Sequence, residues 1–207
     1  MSLIRIDRSD IQKMGRIERL NLINSCTGYK SANLIATISN EGKTNVAVFS
    51  SVTHLGSDPA LIGFILRPTT VPRHTYQNIK AYGYFSVNHI TTDQIADAHH
   101  TSANYPEETS EFDITDLEPV YHGGCPVPFV KGSPVKLLCK YVNEYLIAEN
   151  GCIHVIASIE AIFYEEALLT PDKWLQLDKG KVVAINGLDG YAQPQLLERF
   201  SYARPKK

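Results

Sequence analysis

The sequence predicts a mainly β protein: an antiparallel barrel with a few helices inserted between its strands. Three observations predict it. Two long alternating segments, Pro134 to Ala148 and Cys152 to Glu165, are joined by Glu149-Asn150-Gly151, and Asn-Gly is the strongest short hairpin signal. A second hairpin joins Ala32–Ser39 to the strand starting at Asn45 through Asn40-Glu41-Gly42-Lys43, with Gly42 at a left-handed position. The helical stretches are few and lie between strands. No repeat, low-complexity run or linker interrupts the 207 residues, so residues 1–207 read as a single domain with a sizeable core.

In order, Met1 to Lys13 is charged and mixed, an arm or short helix, and Arg16 to Asn24 is ambiguous. The first hairpin follows. A buried-type strand spans Ala60 to Leu66, with Gly63 inside it; a glycine there marks close approach of a ligand or another backbone. A helix starts near Pro72 and runs to Tyr82, and Tyr84 to Ile90 is another strand. Thr91-Thr92-Asp93 caps a helix reaching about Ser102. Asn104, Tyr105 and Pro106 break it, and Glu107 to Phe112 reads as one acidic helical turn. Asp116 to Gly132 is a loop before the long hairpin.

The chemistry concentrates between Asn45 and Asn88. On the strand Asn45 to Thr53, Val46, Val48 and Val52 take one face, and Asn45, Ala47, Phe49, Ser51 and Thr53 the other. The second face is small and polar around one ring. It suits a flat heteroaromatic ligand, and equally an ordinary half-exposed strand. Pro72 is pre-set for a first helical position, leaving the amides of Arg73, His74 and Thr75 free to bind an anion. Arg67 and Arg73 flank that start. Taken singly they are solvated surface charges; together with the helix start they read as a phosphate site beside a ring site.

Other chemistries are excluded. A net charge of −2 gives no reason to invoke nucleic acid or an anionic membrane. No apolar run approaches the ~18–20 residues of a membrane span. The four cysteines show no metal spacing, and without a signal peptide they read as reduced thiols of a cytoplasmic protein. None of the seven histidines forms a ligand motif; His54, at the strand end, is a possible substrate contact but fits a structural role better. There is no GxSxG, Walker loop or GxGxxG.

Several pieces in this order resemble the flavin reductase-like family with the FMN-binding split barrel. They are Ser50-Ser51, Ser57-Asp58-Pro59, Arg67-Pro68, His74-Thr75-Tyr76-Gln77-Asn78-Ile79 and Gly83-Tyr84-Phe85-Ser86-Val87-Asn88. His99 to Tyr105, Ser110-Glu111-Phe112, Gly187 to Tyr191 and Tyr202-Ala203-Arg204 resemble one branch of it. The resemblance implies a Greek-key FMN-binding split barrel and a homodimer with FMN near the subunit interface. It implies cofactor-binding roles for Asn45, Phe49, Ser50, Ser51, Val52, Thr53, Arg67, Arg73, His74, Thr75, Asn78 and Ser102, with no protein catalytic residue and no metal. The implied reaction is hydride transfer from NADH or NADPH to FMN, then electron delivery to free flavin or another small-molecule acceptor. Cofactors of this kind carry the hard chemistry themselves. An FMN-binding electron carrier without NAD(P)H turnover is the alternative. A pyridoxamine-phosphate-oxidase-like barrel is a further one, which the His-Thr-x-x-Asn pattern speaks against.

Overall fold

The computed structural model describes residues 2–205. Two helices come first, α1 (Arg8–Lys13), closed by an Asp7/Asp10 capping box, and α2 (Arg16–Cys26); neither buries a residue. Next come β1 (Lys30–Ser31), β2 (Asn33–Ile38) and β3 (Thr44–Phe49). The β2–β3 turn closes as expected, with the Ser39 amide donating to the Lys43 carbonyl at 2.8 Å and Gly42 at φ +86°. Then follow β4 (Thr53–Ser57), β5 (Ala60–Leu66), α3 (His74–Tyr82), which Gly83 ends at φ +80°, and β6 (Tyr84–His89). A 3-10 turn at Thr92–Gln94 leads into α4 (Ile95–His100), and α5 (Glu111–Ile114) into the short strands β7 (Pro119–Val120) and β8 (Phe129–Val130). The long hairpin is β9 (Val135–Ile147) and β10 (Cys152–Tyr164), and β11 (Ala184–Asn186) and β12 (Gly190–Ala192) end the chain's strands.

Seven strands form one antiparallel sheet in the order β3-β2-β6-β9-β10-β5-β4. Alternation on β2 sends Ile35 into one apolar cluster with Phe64, Phe85, Val87 and Val155, and Leu34 and Ala36 into another with Val46, Ile90, Phe112 and Ile185. The first cluster is the barrel interior. Phe64 stands edge-on to Phe49 at 5.4 Å and to Phe85 at 5.6 Å, a favoured aromatic geometry. The second lies under α4, α5 and the small sheet β1-β11-β12.

Several expectations change. The loop expected over Asp116 to Gly132 carries the paired strands β7 and β8. The strand expected from Asn45 to Thr53 stops at Phe49 and resumes as β4. Across the break, the Ser51 hydroxyl stands in for a ladder neighbour: it accepts from the Ile65 amide at 3.0 Å and donates to the Ile65 carbonyl at 3.3 Å, while Ser31 donates to the Val52 carbonyl at 2.7 Å. Helix α3 begins at His74, because Arg73 is extended (φ −130°), so Pro72 lies outside it. The helix after Thr92 ends at His100 rather than Ser102. Gly63 makes room for a side chain, not a ligand or backbone: a Cβ there would overlap His154 Nε2 from the neighbouring strand.

Candidate functional site

The ends of β3 and β5 meet the start of α3 at a cleft of about 480 Å³, walled further by the segment after α4 and by the β11–β12 turn. That size falls within the usual range of small-molecule sites. Asn45, Phe49, Ser50, Ser51, Arg67, Arg73, His74, Thr75 and Ser102 all line it. Three candidates lie elsewhere. Val52 packs into the barrel interior, Thr53 is exposed on β4, and Asn78 donates to Thr37 Oγ1 at 3.0 Å, a bond between α3 and β2.

Helix α3 is fixed on both sides. Toward the sheet, Asn45 Nδ2 donates to Thr75 Oγ1 at 3.0 Å. Toward β9, the Tyr76 hydroxyl donates to Glu144 Oε1 at 2.8 Å and Lys80 Nζ donates to the Tyr141 hydroxyl at 2.8 Å. Burial and then the Glu144 carboxylate hold the Tyr76 hydroxyl above its ordinary pKa, so it stays a donor. The helix start thus faces the cleft in a set position.

Its first-turn amides have no intrahelical acceptor and carry the positive end of the helix dipole. Arg67, exposed at the end of β5, and Arg73, half-buried before α3, add two cations. Arg73 Nε is buried and has no protein partner among the described residues. Buried polar groups are nearly always paired, and guanidinium matches an oxyanion best. Thr75 Oγ1 accepts from Asn45, which leaves its proton to donate. Ser51 is committed both ways to Ile65, so its place is structural support of the wall. The arrangement can hold an anion at one end and a flat apolar ring along Phe49, Ala47 and Ile65.

The opposite wall rests on residues that sequence reasoning gave little weight. β3 is an edge strand, and two of its amides turn away from β2. The Val46 amide donates to Glu111 Oε2 at 3.1 Å and the Val48 amide to Thr101 Oγ1 at 2.9 Å. Thr44 and Ser110 hydroxyls join at 3.1 Å. Glu111 is only 6% exposed. Burial pushes its carboxyl pKa up, against the Val46 amide, its own backbone amide and the His74 charge, which lower it. Both Glu111 and Thr101 line the cleft, as do Tyr105 and Asp189. The signal that could have found Glu111 and Thr101 is the need of an edge strand's free amides for acceptors.

The profile of the flavin reductase like domain matches residues 28–185. A split-barrel protein from Shewanella frigidimarina, provisionally assigned as a flavin reductase, is 38% identical, superposes with a TM-score of 0.93, and the match covers 97% of this chain and all of that one. Nitrilotriacetate monooxygenase component B from Bacillus cereus shares the fold at TM-score 0.80 and 19% identity, over 98% of this chain and 100% of that one. An FMN-binding protein from Thermus thermophilus does so at 0.69 and 17%, over 86% and 93%. The predicted architecture is therefore found, a split barrel with inserted helices, and the chain belongs to the flavin reductase-like family.

Proposed function

We propose that the cleft binds FMN non-covalently and that the protein is an NAD(P)H-dependent flavin oxidoreductase. One observation carries the reading: the buried Arg73 Nε, without a partner among the described residues, in the cleft that Arg67, the start of α3 and Phe49 also line. Arg67 and Arg73 would hold the phosphate, with the first-turn amides of α3 and the Thr75 hydroxyl as further donors. Ser50 and Ser102, which also line the cleft, would add hydroxyls beside the ring. A single phosphate-sized site and no adenine-binding pattern favour FMN over FAD. Bound FMN would supply the redox chemistry, taking electrons from a reduced nicotinamide and passing them on. The protein would bind it, orient it and exclude water from its buried face.

The fold likeness to a monooxygenase component and to an FMN-binding protein supports a small-molecule or second-flavin acceptor and FMN as cofactor. We also propose a homodimer. The β9–β10 hairpin leaves Val142, Tyr145, Leu146 and Ile162 more than half exposed, an apolar set that a second copy would cover. Among the described residues, no helix is long and apolar enough to cross a membrane.

The test is direct. Denatured protein should release FMN on chromatography, and anaerobic NADH or NADPH should bleach the bound flavin. Release of FAD, or no uptake on reconstitution, overturns the cofactor; FMN that no nicotinamide reduces leaves an electron carrier.

A further inference from the structure

Of the three asparagines buried in the seven-stranded sheet, Asn33 and Asn88 lie on opposite faces, and the fold treats them differently. Asn88, on the outer side, is fully used. Its Nδ2 donates to the Leu34 carbonyl at 3.1 Å and to Ser86 Oγ at 2.9 Å, and its Oδ1 accepts from the Val130 amide at 3.0 Å. Asn33, at the start of β2, faces the barrel interior and is 1% exposed. Neither its Oδ1 nor its Nδ2 has a partner among the described residues. Exchanging the two atoms would not help, since both are orphaned.

Its cross-strand neighbours say what surrounds it. Asn33 pairs with Phe49 on β3 and with His89 on β6. Directly opposed residues on antiparallel strands project to the same face with Cβ atoms ~4.5–5.5 Å apart. The amide therefore stands between a phenyl ring and an imidazole. His89 makes no side-chain hydrogen bond to the described residues, and burial lowers its pKa to about 4, so at neutral pH it offers one donor and one acceptor. Buried Asn33 and half-buried His89 stand side by side at the barrel interior, and neither side chain has a hydrogen-bond partner among the described residues. The nearby Ser31 hydroxyl and Val52 carbonyl are already spent on each other.

We propose that this is an internal hydration site: one or two ordered water molecules sit inside the barrel behind Phe49 and bridge the Asn33 amide to the His89 imidazole. Water is the ligand that matches the chemistry. It is small, donates and accepts, and interior water is found where buried polar groups lack protein partners, whereas apolar cavities stay dry. The proposal is independent of what the cleft binds.

Two measurements test it. In protein labelled with 15N-asparagine, the Asn33 Nδ2 protons should show a cross-peak to the water resonance with the sign of a long-lived bound molecule. Protected Asn33 protons with no such cross-peak overturn the site. The second measurement is unfolding of Asn33→Leu, a match in shape with the same number of side-chain heavy atoms. If water satisfies the amide, the substitution strands the water and His89, and the unfolding equilibrium constant should rise about tenfold or more. If the amide is dry, removing two orphaned groups leaves stability unchanged or improved, and the proposal fails. Should Asn33→Leu not fold at all, the cross-peak in the wild-type protein still decides.

Discussion

The seven-stranded sheet has two edges, and they are finished in opposite ways. At β3 the outward amides of Val46 and Val48 meet acceptors from Glu111 and Thr101, brought by the insertion that holds α4 and α5. At β4 the strand is five residues long, has a register shift between His54 and Gly56, and is largely exposed. Both devices keep a sheet from pairing with a foreign strand. Only the covered edge yields a wall with fixed side chains, and the cleft lies there. Protecting an edge by covering it makes a site; protecting it by shortness and a bulge does not.

The largest effects should follow from removing cations beside the covered edge. Arg73→Ala or Arg67→Ala should cost ~1.5–3 kcal/mol of FMN binding, a 10- to 100-fold loss of affinity. Riboflavin, which lacks the phosphate, should bind mutant and wild type nearly alike. Titrating both ligands decides the matter: equal losses for both would remove the arginine from the phosphate site. His54→Ala, at the bare edge, should leave both affinities unchanged.

Next comes the cover itself. Glu111→Ala leaves the Val46 amide buried without an acceptor, at a cost of ~1–3 kcal/mol. The denaturant midpoint should fall accordingly. If it does not, the β3 edge is no more dependent on its cover than β4.

Glu111→Gln separates hydrogen bond from charge. The amide oxygen still accepts from Val46, but the buried charge is gone. Because the folded carboxyl pKa is raised above 4.5, native wild type binds its proton more tightly than the unfolded chain. Wild type therefore gains stability as pH falls through the raised value toward 4.5, and the variant does not. The variant should be equally or more stable at neutral pH, with the difference shrinking in acid. His89 acts in the opposite sense, losing stability between pH 6.5 and about 4, but it is common to both proteins and cancels in the difference. A difference that widens in acid would show that the charge stabilises.

The smallest effect belongs to the bare edge. Leu55 is 42% exposed on β4, and Leu55→Lys should change stability by less than about 0.5 kcal/mol.

Local signals made much of the fold legible. Asn150-Gly151 located the long hairpin to within a residue or two of Val135–Ile147 and Cys152–Tyr164, and β5 matches its expected limits, because turn chemistry and alternation are written within a few residues. The sheet β1-β11-β12 was not legible: Lys30 and Ser31 pair with residues more than 150 positions away and are too few to show a period. Nine of the twelve candidate site residues line the cleft, while Asn78, polar and on the right helix, is used to join α3 to β2. Glu111 read only as part of one acidic helical turn and of a family-like segment, because its acceptor role depends on an amide 65 residues away.

Gly63 and His154 make one unit across two strands, since the imidazole fills the space a Cβ would need. Their evolution should be coupled and ordered. A lineage that acquires a side chain at 63 is favoured to shrink residue 154 first or simultaneously, and retaining histidine there penalises every step away from glycine. Gly63→Ala alone should destabilise, by the ~1–3 kcal/mol typical of overpacking, and the same change in a His154→Ser background should cost far less. Additive costs would mean that the two positions drift independently.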